Sequence, residues 1–151
     1  MLRNVLGVFV AAAAMTLVPV AGPVQAAPAA SPNPLAGLEV HPEWGTITGH
    51  KGVLKRGCHK YTFSYSITPP EGIWAIEVFI SGPHLKHLAA GAFLDGYDPK
   101  TGTGHYKLCR VTTRYGKFRI VAKVSVDDGS GHITEGLLPT STFKLRPPHH
   151  H

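Results

Sequence analysis

The sequence predicts an all-β domain of about seven short antiparallel strands folded as a sandwich. Two observations carry that expectation. Apolar and polar residues alternate with a period of two in several runs, as a sheet with one buried face requires. Clusters of Gly, Pro and Asp punctuate those runs at the short intervals that hairpins and corners need.

The clearest run is Phe118 to Val126, where Phe118, Ile120, Ala122, Val124 and Val126 alternate with Arg119, Val121, Lys123 and Ser125. Gly116 opens it, and Asp127-Asp128-Gly129-Ser130-Gly131 closes it with a turn. A second strand is expected from about Lys60 to Ile67, with Tyr61, Phe63, Tyr65 and Ile67 on one face. Pro69-Pro70-Glu71-Gly72 ends it, because proline cannot donate to a ladder. A third spans Ile73 to Ile80, with Trp74, Ile76, Val78 and Ile80 in phase. Shorter strands are expected at Trp44 to Thr48, Gly104 to Val111 and Thr140 to Leu145. Leu85 to Leu94 fits helical spacing through Leu85, Leu88, Ala89, Ala92 and Phe93. Gly91 interrupts that pattern, so a strand near Leu88–Leu94 is the reading adopted.

The alternating run from Tyr115-Gly116-Lys117-Phe118 through Val124 resembles the next-to-last strand of immunoglobulin-like sandwiches from bacterial extracellular proteins. In those domains a Gly-x-aromatic start leads into an alternation that ends in Asp. The resemblance implies a fold over residues 38–146 and no particular activity.

Ahead of that domain lie the three parts of a secretory signal peptide. Arg3 is the only charge before Glu39, the apolar stretch Val5 to Val18 follows, and Val24-Gln25-Ala26 sets small residues at the cleavage point. Residues 1–26 are therefore expected to be removed, with cleavage after Ala29 as the alternative. About 14 apolar residues fall short of the ~20 that span a bilayer. Residues 27–37 read as a flexible leader, and 147–151 as a disordered tail ending in His149-His150-His151.

Export places Cys58 and Cys109 in an oxidising compartment, where an even pair in a small domain is most simply one disulfide. It would close a loop of about 50 residues, valued at roughly 4 kcal/mol by chain entropy. Cys58 has the parity of Lys60 and Thr62, and Cys109 that of His105 and Lys107, opposite to the apolar sets. In a sandwich layout one cysteine begins the second strand and the other ends the fifth. The bond is thus expected at the margin of one sheet, with Trp74 in the core away from it.

Fifteen Lys and Arg against nine acidic residues make the chain basic, with a net charge of +6. Lys117, Arg119 and Lys123 share the outward face of one strand with Val121, and Phe79 is expected beside them on the neighbouring strand. Such a face can bind a partner. It can equally be a solvated face where Glu77 pairs across the strands, or one covered by Leu85–Leu94.

The remaining chemistry-bearing residues have plainer explanations. His84-x-x-His87 and the scattered His41, His50, His59, His105 and His132 lack a fixed ligand spacing, so no metal is expected. Asp95-Gly96-Tyr97-Asp98 and Asp127–Gly131 do not follow the EF-hand pattern and suit turns. No G-x-S-x-G elbow is present and the cysteines are better used on each other, so neither enzyme activity nor a cofactor is expected. The sequence points to a secreted, non-enzymatic binding module whose partner is an anionic envelope polymer or a protein, not nucleic acid. The alternative is a secreted protease inhibitor presenting a loop such as Asp95–Gly104.

Overall fold

Alternation becomes strand pairing throughout the computed structural model, which describes residues 33–148. The export signal at 1–26, residues 27–32 of the leader and His149–His151 lie outside the described residues. Along the chain run β1 (Gly45–Gly49), β2 (Gly52–Val53), β3 (Cys58–Ile67), β4 (Ile73–Gly82), β5 (Leu85–Leu94), β6 (Thr101–Cys109), β7 (Gly116–Asp127), β8 (Ile133–Leu137) and β9 (Ser141–Arg146). A single 3-10 turn, Pro42–Trp44, precedes β1, and no α-helix occurs among the described residues.

Two sheets result. The smaller has the order β1-β3-β6, and the larger β2-β9-β7-β4-β5, with β8 also pairing β7. β8 and β9 share one side of β7: β9 pairs with Gly116–Ile120 and β8 with Lys123–Asp127. The inward residues of both sheets meet in one core. Phe118, Ile120, Ala122, Val124 and Val126 of β7 are all buried, as are Trp74, Ile76, Val78 and Ile80 of β4. Phe63, Tyr65 and Ile67 of β3 and Tyr106 and Leu108 of β6 close the other side. The fold is an all-β sandwich with one disulfide.

The strand count exceeds the expectation because two pieces carry little alternation. β2 is a two-residue strand that pairs parallel to β9. In β8 only Gly136 is buried, packed where a side chain would strike the rings of His41 and Trp44. Leu85–Leu94 is a strand along its whole length, hydrogen-bonded in plane to β4, so it extends the larger sheet and does not cover its face.

The smaller sheet has an edge strand with two glycines, Gly102 and Gly104 of β6. Their cross-strand neighbours are Tyr65 and Phe63, whose rings lie over the bare backbone where a Cβ would stand. Aromatic cover of this kind offsets the packing that glycine lacks.

Cys58 and Cys109 are register partners at the first position of β3 and the last of β6, joined by the disulfide. Cys58 is exposed and Cys109 half-buried, as side-chain parity requires. Trp74, 2% exposed, follows the turn after Ile67 and so sits near the other end of β3. Ten extended residues put roughly 30 Å between those two ends.

Candidate functional site

The outward face of β4 and β7 forms the register expected of it. Phe79 pairs with Val121, Glu77 with Lys123, and Ser81 with Arg119. Lys123 is engaged within the fold: its Nζ lies 2.7 Å from Glu135 Oε1 and 3.4 Å from Glu77 Oε2. Its side chain is only 15% exposed. The hydrogen bond to Glu135 is the main cause of a raised Lys123 pKa, and the same bond holds the Glu135 carboxyl below its usual range.

Phe79, Val121 and Arg119 line a cleft of about 250 Å³ together with Asn33, Leu35 and His87. Residues 33–37 form a turn there, in which the Leu35 and Ala36 amides donate to the Asn33 side chain and carbonyl. Lys117 lies on the same face but in a different cleft. Its cross-strand partner is Lys144 of β9, and both line a cleft of about 510 Å³ with Lys51. The five residues of the expected patch therefore serve three settings: a small cleft, an ion-pair triad and a lysine cluster.

That lysine cluster belongs to a larger feature. All nine acidic residues lie at or above the Glu77–Lys123 row of the larger sheet, or in loops of the end away from the disulfide. All the described lysines and arginines except Lys100 and Lys123 lie below the Phe79–Val121 row or at the disulfide end. On the larger sheet, Lys51, Lys144 and Arg146 line a further cleft of about 480 Å³. On the smaller sheet, Lys60 and Lys107 are direct cross-strand partners and both are exposed. Between the sheets, Arg56, Arg110 and Arg114 line a cleft of about 340 Å³ with Tyr115.

The β6–β7 loop that carries two of these arginines is anchored. The buried Thr113 donates its hydroxyl proton to the Pro83 carbonyl at 2.9 Å, and the Arg114 amide donates to the same oxygen at 3.3 Å. The Arg110 guanidinium lies 4.5 Å from the Tyr115 ring centroid and donates to the Thr113 carbonyl. Pro83 and His84 form the tight β4–β5 turn, in which His84 takes φ 62°. Among the described residues none of the cations at this end forms an ion pair.

At the opposite end three aspartates are spent on backbone. Asp98 accepts from the Leu94 amide, Asp127 from Gly129, and Asp128 from both the amide and the hydroxyl of Ser130. The Ser130 hydroxyl is the first cause of a lowered Asp128 pKa. The Asp95–Lys100 loop is closed further by Asp98 and Tyr97 amides bonding to the Leu94 carbonyl, and β6 already begins at Thr101. Beside it Ile73, Leu94, Tyr97 and Ile133 expose an apolar cleft of about 370 Å³. Among the described residues no group of three or more His, Cys, Asp or Glu side chains converges as a metal site would. His50 instead lies 3.0 Å from both the Thr62 and Ser64 hydroxyls.

The segregation of charge was missed in the sequence although a signal for it exists. Antiparallel strands send successive connections to alternate ends of a sandwich. The connections holding Glu71, Asp95 with Asp98, and Asp128 fall at one end, and those holding Lys51 with Arg56, and Arg110 with Arg114, fall at the other. No family model matches this chain, and no curated protein matches it.

Proposed function

We propose that this protein is a secreted, non-enzymatic binding module that holds an anionic polymer of the cell envelope at the disulfide end of its sandwich. The observation that carries this reading is the collection of unpaired cations there: Lys60 with Lys107, Lys117 with Lys144, and the Arg56–Arg110–Arg114 group. Lysines placed directly opposite one another repel, and a bound anion relieves that repulsion. The clefts are open and line exposed strands, which suits a surface-bound chain better than an enclosed small molecule.

An immunoglobulin-like arrangement is part of the same proposal. It is supported by a sheet of order β1-β3-β6 packed against one in which β9, β7, β4 and β5 are successive neighbours. Secretion is supported by the disulfide, which persists in oxidising compartments.

Retention of the protein on isolated envelope polymers at low and high salt tests the reading. Binding in about 50 mM salt that is lost by roughly 500 mM is the expected result, because charged contacts are screened. Absence of retention at low salt, or retention indifferent to salt, overturns it.

A further inference from the structure

We infer that the ligand of the disulfide end is a flexible linear polyanion that bends over that end and is gripped on both outer faces at once, so that the site reads chain length. This rests on the reading above. Its basis is the placement of the two lysine pairs. Lys117 and Lys144 stand on the outer face of the larger sheet, since their neighbours Phe118 and Phe143 point into the core. Lys60 and Lys107 stand on the outer face of the smaller sheet, since their neighbours Tyr106 and Leu108 point inward. The two pairs therefore face away from each other across a sandwich whose sheets pack about 10 Å apart.

One phosphate or carboxylate fits between the ammonium groups of one pair, but it cannot reach the other. Only a chain of linked anions can. The path between the pairs is itself basic: the loops that cross the end carry Arg56, Arg110 and Arg114 around the 340 Å³ cleft. Arg110 is already oriented by Tyr115 and Thr113, which lowers the ordering cost of binding there. Lys51 and Arg146 widen the landing area on the larger sheet without adding any acidic group. The chemistry this band fits is repeated negative charge on a backbone that can turn.

Linking two weak contacts on one chain raises the overall affinity by roughly 100-fold or more where the linker spans the gap. The experiment titrates the mature protein with inorganic triphosphate, with long-chain polyphosphate, and with polyglutamate as the carboxylate counterpart. Four proteins are compared: wild type, Lys60→Gln/Lys107→Gln, Lys117→Gln/Lys144→Gln and the quadruple variant. These positions are exposed, and thermal melting of each variant confirms folding.

The long chains are expected to bind at least about 100-fold tighter than triphosphate. Each double variant should reduce the slope of log affinity against log salt by about 1.4, the value for two lost cation contacts to a flexible chain. Polyphosphate binding without polyglutamate binding would mark the ligand as phosphate-bearing, and the converse as carboxylate-bearing; either supports the inference. If one double variant binds long chains as wild type does, the ligand occupies a single face, and the bridging inference falls while the proposed function stands. If neither long chain binds at low salt, or only a single-stranded oligonucleotide does, both fall.

Discussion

The two ends of the sandwich use charge in opposite ways. At the end holding the Asp95–Lys100 and Asp128–His132 connections, Asp98, Asp127 and Asp128 are structural: they close turns on their own backbone. Nearby, Glu77 and Glu135 secure Lys123 against the larger sheet. At the disulfide end only Arg110, among the described cations, bonds the backbone in this way, at the Thr113 carbonyl, and lysines are set against lysines. The difference follows from side-chain length. Asp reaches an amide two residues on, whereas the lysine ammonium sits on a four-carbon stem that carries it out to solvent. Much of the charge at one end is taken up by turns and one ion-pair triad, whereas most of the cations at the other end face solvent.

Four measurements can break or sharpen that contrast. The largest effect belongs to the platform beneath the cations. Replacing Cys58 and Cys109 together by Ser should cost about 4 kcal/mol in urea unfolding, from the loop they close. A loss below about 1 kcal/mol would mean that the β3–β6 ladder alone holds the basic end together.

Tyr106 comes next. Its hydroxyl is buried without a hydrogen-bond partner, and burial pushes its pKa upward with a smaller contribution from Tyr61. Tyr106→Phe removes that orphan and should stabilise the domain by about 1 kcal/mol. A destabilisation of similar size would reveal a partner for the hydroxyl and make this core position polar by design.

Surface charge gives a smaller effect but the sharpest test, because the sign should differ between the ends. Lys117→Glu replaces a repulsive pair with an attractive one and should raise stability by about 0.2–1 kcal/mol. Glu135→Gln removes the nearer partner of Lys123 and should lower it by about the same amount. Equal signs would erase the contrast.

The smallest effect is in pH. The folded-state pKa of Glu135 is lowered, so its contribution is complete above the ordinary value of 4.5 and is lost as pH falls through the folded value. Lys123 is raised, so its contribution is present below 10.5 and is lost as pH rises through the folded value. Glu135→Gln should therefore flatten the acid limb of the stability profile below pH 4.5. An unchanged acid limb would assign that limb to the turn aspartates instead.

Much of this architecture was legible in the chain. The period of two located β3, β4 and β7, whose buried sets match the apolar positions, and parity placed the disulfide at a sheet margin. β2 and β8 escaped because neither has an alternating apolar face; the inward position of β8 is a glycine. The patch expected at Phe79, Lys117, Arg119, Val121 and Lys123 rests on one strand and one neighbour. The acid that takes up Lys123 most closely, Glu135, came from β8, and the lysine facing Lys117 came from β9. Register between strands distant in sequence decides such pairings, and it is not written in either strand alone. The grouping of cations at one end was within reach, since it needs only the alternation of connections.

The Cys58–Cys109 bond, with a sequence separation of 51, also encloses β3, β4, β5 and β6 in one covalent ring. A pull applied between the two ends of the domain passes through the bond and bypasses everything inside the ring. Under load the domain would then yield only the chain outside the ring, and ~180 Å of contour would stay locked until the sulfurs are reduced. Single-molecule extension with and without reductant would read that hidden length directly. The bond that steadies the basic end thereby also limits how far the protein stretches under load.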